Sequence, residues 1–232
     1  MSVDEKAQVL QEGESSSGAK RKVLAELGVS KSGCYRWRAG HGQGSLEMKM
    51  AAGKEFHTKA TRPHQMWVSD ASHFRVSGWG FYYLVTVMDD FSRFIIAWRL
   101  QRDMTSDSFI EVIQKAVDLT GMTDVPWEHR TRLLSDNGPG YISHSFGEYL
   151  RLVGIRHILA SPFHPQTNGN LERYHRTIKR DVNQIPYDVP GNLEVAITEL
   201  VNYYNNRRYH KALGNVTPSD NLDGRREQIL ER

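Results

Sequence analysis

The sequence is poor in cysteine and lacks long apolar runs. Its one cysteine, Cys34, cannot form an internal disulfide or a cysteine-rich zinc site. Such cysteine usage is typical of a reducing cytosol, so we expect a cytoplasmic protein. No stretch of about 18 consecutive apolar residues occurs, so the sequence predicts no membrane span. Residues 1–10 mix charges without a long apolar run and do not have the pattern of a signal peptide.

The charge is only slightly unbalanced. The 232 residues include 30 Lys and Arg against 27 Asp and Glu, which gives a net charge of +3. This excess favours an anionic partner only weakly, so the distribution of the charges has to decide. Hydrophobic residues make up 39% of the chain, which is ordinary for a globular protein with a real core.

Residues 1–40 have a helical pattern that differs from the rest of the chain. A short turn at 27–29 separates two predicted helices, and the second carries Lys31 and Arg36. This arrangement is typical of a DNA-binding helix-turn-helix. A small helical pair with a solvated basic face explains the pattern equally well, and Gly33 weakens the second helix. Residues 41–61 are rich in glycine near their start and are interpreted as a linker.

From residue 62 onward the pattern changes to that of an α/β domain. Three apolar, β-branched and aromatic runs predict an antiparallel meander over 66–76, 81–90 and 93–100. A helix from Thr105 or Ser106 to Gly121 follows, then two strands alternating with helices, and a last long helix ending near 210. The predicted fold is a mixed sheet flanked by helices, with the small all-α helix-turn-helix region at the N-terminus.

Three carboxylates occupy informative positions. Asp70 lies in the first strand, Asp136 ends the fourth, and Glu172 lies in the first turns of the following helix. The first and fourth strands can be neighbours in such a sheet, which would place the carboxylates together. A cluster of three is unfavourable unless cations fill it. Oxygen ligands select Mg²⁺ or Mn²⁺, and two such ions can promote in-line phosphoryl transfer.

Basic residues surround Glu172. Arg176 and Lys179 lie on its helical face, and Arg173 flanks it. Cations beside a metal-binding glutamate suit phosphate binding. The alternative is a solvated helix with an ordinary Glu172–Arg176 ion pair. Asp89 and Asp90 are two further candidates for the carboxylate site. They occupy a predicted turn, where aspartate forms hydrogen bonds with its own backbone, so we interpret them as structural.

Together these motifs resemble one family. Between Asp136 and Glu172 there are 35 residues, a spacing that would not identify a family by itself. The three acids also lie in or beside the segments WVSDASHF, LLSDNGPGYIS and HPQTNGNLERYHRTIKRD. The combination closely resembles the integrase-core (DDE) transposases of bacterial insertion sequences, which are related to retroviral integrases and have a ribonuclease H-like fold. The resemblance covers residues 62–222, which would be the catalytic core, and leaves 223–232 as a C-terminal tail.

The resemblance implies a polynucleotidyl transferase that cuts and joins DNA. Asp70, Asp136 and Glu172 would be catalytic and would hold two Mg²⁺ or Mn²⁺ ions. Water would free a 3′-OH at each element end, and this 3′-OH would attack target DNA. The residues implied to contact DNA are Arg176, Lys179, Asn137, Asn168 and Arg173, with Lys31 and Arg36 in the N-terminal module. Homo-multimers acting on paired ends at the nucleoid are expected.

One departure from the family keeps alternatives open. Family members usually have a longer segment with more DNA-binding helices before the core, whereas only a short linker stands here. A second transposase-encoded chain could supply that recognition. The alternative functions are a truncated, inactive DNA-binding remnant acting as a repressor and, less favoured, a ribonuclease H-like nuclease without strand transfer.

Overall fold

The computed structural model describes residues 60–160, 169–182 and 186–231, all of which belong to one compact unit, Ala52–Arg232. The predicted helix-turn-helix with Lys31 and Arg36, and all but the end of the predicted linker, lie outside the described residues. The domain boundaries drawn from the sequence therefore stay predictions. In the described ranges no helix is both long and apolar enough to cross a membrane.

Five strands form one mixed sheet. The strand order across the sheet is β3-β2-β1-β4-β5, so β3 and β5 form its two edges. Strands β1, β2 and β3 pair antiparallel, while β1 with β4 and β4 with β5 pair parallel. The predicted meander and the predicted neighbourhood of the first and fourth strands are thus confirmed. The strand bounds are Met66–Val76 (β1), Gly80–Asp89 (β2), Ile95–Gln101 (β3), Arg132–Ser135 (β4) and Arg156–Leu159 (β5).

Helices cover both faces of the sheet. The first, α1, begins after Thr105, whose side chain accepts a hydrogen bond from the Ser108 N–H, and it ends at Gly121 in the left-handed conformation, as predicted. The described helices are Ser106–Thr120 (α1), His144–Leu152 (α2), Gly169–Val182 (α3), Pro190–Asn206 (α4), Pro218–Leu222 (α5) and Arg226–Leu230 (α6). Short 3₁₀ turns occupy Met122–Asp124, Trp127–His129 and Lys211–Leu213.

The last long helix, α4, ends earlier than predicted, and two five-residue helices follow it. Helix α4 ends at Asn206, and the N–H groups of Arg207 and Arg208 both bond the Tyr203 carbonyl. The chain then turns, because the His210 N–H bonds the Val216 carbonyl in an isolated β-bridge. This bridge lies beyond the helix and leaves no mark on the helical spacing, so the spacing alone predicted an end that is too late.

The strand residues alternate between two hydrophobic cores. Trp67 and Leu133 pack against α1 and α2 on one face, whereas Val68 and Leu134 pack against α3 and α4 on the other. Because successive side chains of a strand point to opposite faces, this alternation also fixes the face of every polar strand residue. The α3/α4 face is the one that matters for the candidate site.

Candidate active site

Asp70 lies on the sheet face that α3 covers. Val68 and Phe74 of the same strand are buried in the core with α3 and α4, and Asp70 falls between them with the same alternation. Its side chain is 21% exposed, so the carboxylate stays accessible at the margin of the core. The Ala71 N–H donates to its Oδ1 at 2.8 Å.

Asp136 comes directly after β4 and is carried to the same margin. Ser69 pairs with Ser135 in the parallel register of β1 and β4, so continuing that register by one residue sets Asp136 beside Asp70. Partial burial raises the pKa of Asp136, and the charge of Asp70 raises it further against the opposing hydrogen bond from Gly138. Two neighbouring carboxylates of this kind form a donor set that fits a hard divalent cation.

The Asn-Gly-Pro-Gly turn after Asp136 positions this carboxylate. The Gly138 N–H donates to Asp136 Oδ1 at 2.9 Å, which closes an Asx turn directly after the strand. Gly140 lies against the Phe109 ring so closely that a Cβ atom there would collide with it. Asn137 donates from Nδ2 to the Ala160 carbonyl at 2.8 Å, which ties the loop to the end of β5. The turn that ends β4 therefore holds the Asp136 carboxylate in place.

A buried tyrosine beneath the two aspartates was missed by the sequence reasoning. The Tyr141 hydroxyl lies 2.7 Å from Ser69 Oγ, and its ring stacks on Phe109 with centroids 4.1 Å apart. Burial raises the pKa of Tyr141 well above its ordinary value, and the charges of Asp70 and Asp136 act in the same direction. The only sequence signal was its place five residues after Asp136, directly beyond the Asn-Gly-Pro-Gly turn.

Helix α3 is amphipathic and presents Glu172 to solvent. Its buried side includes Leu171, Tyr174 and Ile178, which pack into the core of the α3/α4 face. Glu172 is exposed and lies one turn before His175, whose Nδ1 is 3.4 Å from Asp70 Oδ2. Residues three apart share a side of a helix, so this contact directs the Glu172 side of α3 toward Asp70.

The structure brings two of the three acids together. Within the described ranges, no three His, Cys, Asp or Glu side chains are close enough to hold one ion, so Glu172 does not complete a group with Asp70 and Asp136. Its role as a ligand stays a prediction. Arg173 and Arg176 are exposed and Lys179 is half-buried on the same helix. Asn168 lies outside the described residues.

Asp89, the acid that we assigned to a turn, is structural. It is fully buried and accepts hydrogen bonds from the His64 N–H, the Ser92 N–H and the Ser92 hydroxyl at 2.8, 2.8 and 2.6 Å. Burial raises the pKa of Asp89, while these bonds lower it. The turn at the end of β2 is stabilised by this carboxylate.

Comparison with protein families identifies the described domain. Two family models, both described as "Integrase core domain", match residues 60–165 and 153–218. The chain belongs to the integrase-core family. Its relatives include the transposase for insertion sequence element IS904 of Lactococcus lactis, with 27% identity over 168 residues, covering 70% of this chain and 62% of that protein. The transposase for IS629 of Shigella sonnei is 28% identical over 69% of this chain and 52% of that protein. The integrase-core chain thus spans less than two thirds of either relative.

Solved structures show the same fold as this integrase-core chain. The simian T-cell lymphotropic virus intasome gives a TM-score of 0.58 at 22% identity, covering 71% of this chain and 56% of that chain. The HTLV-2 integrase catalytic core in complex with magnesium gives 0.54 at 22% identity, covering 69% and 97%. The predicted ribonuclease H-like fold is therefore confirmed: a mixed five-stranded sheet flanked by helices.

Proposed function

We propose that this protein is a transposase that catalyses Mg²⁺-dependent DNA strand cleavage and strand transfer during transposition of an insertion sequence. The observation that carries the proposal is the placement of Asp70 and Asp136 on neighbouring parallel strands and on one face, where burial and the charge of Asp70 raise the pKa of Asp136. Its membership of the integrase-core family, and the names of its transposase relatives, support the same reaction.

The donor set fits divalent cations. Asp70 and Asp136 would hold Mg²⁺ or Mn²⁺, with two ions expected and Glu172 as the third ligand. When bound, such ions activate the attacking oxygen and stabilise the leaving oxygen of a phosphodiester. An integrase core of the same fold has been solved in complex with magnesium, which supports this choice of ion. In this arrangement the Gly138 N–H orients the Asp136 carboxylate, and Tyr141 stabilises the strand beneath it.

The DNA would lie along the exposed side of α3. Phosphates would be contacted by Arg173, Arg176 and Lys179. At the start of α3, Asn168 would let the protein backbone approach the DNA strand. The Asn137 side-chain amide donates to the Ala160 carbonyl, so this side chain is already engaged within the protein. We therefore place Asn137 at the border of the site, where its backbone and its loop would face the DNA.

The substrates would be element ends and target DNA. They would be bound by a homo-multimer at the nucleoid in the cytoplasm, with a second transposase-encoded chain as a further partner. Integrase cores of this fold are described in dimeric and trimeric forms, and one belongs to an intasome.

A strand-joining assay tests the proposal. A labelled duplex carrying the terminal DNA of the element is incubated with the full chain, a plasmid target and Mg²⁺ or Mn²⁺, and labelled plasmid is measured. Asp136→Asn and Glu172→Gln should each reduce joining more than about 100-fold, beyond the loss typical of residues that only support a ligand.

The matched control is Glu199→Gln, which neutralises an exposed glutamate on α4 and should leave joining unchanged. Joining that survives Glu172→Gln would contradict the ligand assignment. DNA binding by the wild-type chain without any joining, in either metal, would favour the repressor function over the transposase.

A further inference from the structure

A pocket of about 650 Å³ opens at the end of the sheet where β4 and β5 begin. Its walls come from the approach to β1, the 3₁₀ turn Trp127–His129, the first residues of β4 and β5, and the end of α2 with the turn that follows it. Asp136 comes after the other end of β4. The pocket and the candidate active site therefore lie at opposite ends of this strand.

The pocket is strongly basic. The described residues that line it include one carboxylate, that of Glu128, against five arginines: Arg62, Arg130, Arg132, Arg151 and Arg156. Arg62, Arg132 and Arg151 form no ion pair with a carboxylate in the part of the chain that the structure describes. Such a site favours a ligand with several negative charges, and planar guanidinium groups match the oxygens of phosphate.

Trp127 adds an aromatic surface to the same pocket. It is 61% exposed, although tryptophan is usually largely buried. The Arg130 guanidinium lies over the Trp127 ring at 5.8 Å from its centroid, and a Cβ atom on Gly154 would collide with the ring. The indole is thus supported by the protein while much of its surface stays open to solvent. An exposed and supported aromatic ring is suited to stacking a flat heterocycle.

Arg130 fixes the shape of this wall. Its guanidinium group donates to the backbone carbonyls of Val125, Val153 and Thr123 at 2.9, 2.8 and 2.8 Å. These bonds join the segment before β4 to the turn after α2, and Trp127 and Gly154 of these two segments line the pocket. Because the wall is formed before any ligand arrives, binding loses little affinity in ordering it.

Size and chemistry together indicate a small phosphorylated ligand. The volume lies within the range of about 300–1,000 Å³ that is usual for small-molecule sites. The arginines disfavour an apolar ligand, because it would bury their charges without a partner. An acidic peptide would engage the arginines but has no general need for the indole. A nucleoside phosphate uses both features, since it joins a flat base to a multiply charged tail.

We infer that this pocket binds a free nucleoside di- or triphosphate, with the base stacked on Trp127 and the phosphates held by Arg62, Arg132 and Arg151. The inference goes beyond the proposed function, because it assigns a small-molecule site that is separate from the carboxylates and does not require strand joining. A nucleotide at the end of a nucleic-acid strand offers the same chemistry, so the experiment has an arm for each source.

Calorimetric titration of the full chain tests the site with three small probes: ATP, adenosine and inorganic tripolyphosphate. EDTA is present throughout, so that no metal ion carries a nucleotide to Asp70 and Asp136. ATP should bind about tenfold or more tightly than tripolyphosphate, which cannot stack, and than adenosine, which has no charge for the arginines. A 5′-phosphorylated ten-nucleotide single strand is the nucleic-acid arm, and its affinity should not depend on Trp127.

Substitutions separate stacking from charge. Trp127→Leu keeps an apolar side chain without the aromatic face, and should weaken ATP about tenfold while leaving tripolyphosphate unchanged. Trp127→Phe should restore most of the ATP affinity. Arg151→Ala should weaken ATP and tripolyphosphate alike, by about tenfold. Arg75→Ala removes an exposed arginine near the far end of β1, so it is the charge-matched control and should change neither.

Equal affinity of the wild type and Trp127→Leu for ATP would overturn the inference, as would an Arg75→Ala loss as large as that of Arg151→Ala. If the wild type failed to bind ATP while Trp127→Leu weakened the single strand, the assignment to a free nucleotide would be wrong. The proposed function is tested separately by strand joining without added nucleotide, so a failure there leaves these titrations interpretable.

Discussion

His175 connects the predicted catalytic helix to the strand that carries Asp70. Its Nδ1 lies 3.4 Å from Asp70 Oδ2, and its Nε2 lies 3.4 Å from the hydroxyl of Thr86, the residue paired with Asp70 across β1 and β2. The side chain is only 8% exposed. One ring therefore touches both the acid and its cross-strand neighbour, and it is well placed to set the orientation of the Asp70 carboxylate.

Replacing His175 should impair joining without impairing DNA affinity. We expect His175→Ala to lower the joining rate about 10- to 100-fold, the usual loss when a group that orients a metal ligand is removed. The Mg²⁺ concentration for half-maximal rate should rise, because Asp70 loses its oriented partner. His175→Asn, which keeps a hydrogen-bonding group, should recover part of the rate. A thermal-unfolding scan measures the structural loss, and an unchanged Mg²⁺ dependence in both variants would contradict the positioning role.

Acid should destabilise the fold through His157. Burial lowers the pKa of His157 from 6.5 to about 4, and its Nε2 lies 2.8 Å from Ser135 Oγ. Below pH 6.5 the unfolded chain binds a proton that the folded chain binds only near pH 4. The stability that this neutral histidine contributes is therefore complete above pH 6.5 and falls by about 3 kcal/mol as the pH drops to 4.

Urea unfolding at several pH values measures this effect. His157→Gln should flatten the fall between pH 6.5 and 4. It should leave a residual slope, because burial also lowers the pKa of His210 to about 4. A variant with the same pH profile as the wild type would show that His157 is not responsible.

Asn205 should be essential for anchoring α4 to β3. Its Oδ1 accepts from the Ile95 N–H at 2.9 Å and its Nδ2 donates to the Ile95 carbonyl at 3.0 Å, so a side-chain amide takes the place of a strand partner. Asn205→Ala should lower the free energy of unfolding by about 2–3 kcal/mol, because two buried backbone groups lose their hydrogen bonds. Asn206→Ala changes the exposed neighbour and should be nearly neutral. Denaturant unfolding compares the two, and equal effects would contradict the anchoring role.

Two glycines should respond oppositely to the same substitution. A Cβ atom at Gly140 would collide with Phe109, so Gly140→Ala should destabilise the fold by about 1–3 kcal/mol and displace the loop after Asp136. Gly147 lies inside α2 with open space around it, so Gly147→Ala should stabilise the fold by about 0.5–1 kcal/mol. Thermal unfolding of both variants checks the prediction, which fails if their shifts have the same sign.

Local signals in the sequence were sufficient for most elements of the core. The N-cap of α1 was predicted at Thr105 or Ser106 and its end at Gly121, because capping depends on residues within one turn of the helix end. The structural role of Asp89 was predicted for a similar reason, since its main partner, Ser92, lies three residues away. The end of α4 was not, because the bridge between His210 and Val216 that follows it depends on a pairing that no single helix turn encodes.

The sequence by itself determined the alternation that puts Asp70 on one face of β1, and the Asx turn that orients Asp136, because both depend on neighbouring residues. The element order already allowed β1 to lie beside β4, but only the tertiary structure decided that His175 meets Asp70 and that Tyr141 lies beneath both acids. The two acids, Asp70 and Asp136, are separated by 66 positions in the sequence. Such long-range relations arise because helices pack on both faces of one sheet. Strand order and helix docking are settled by the burial of the whole core, which no short segment contains.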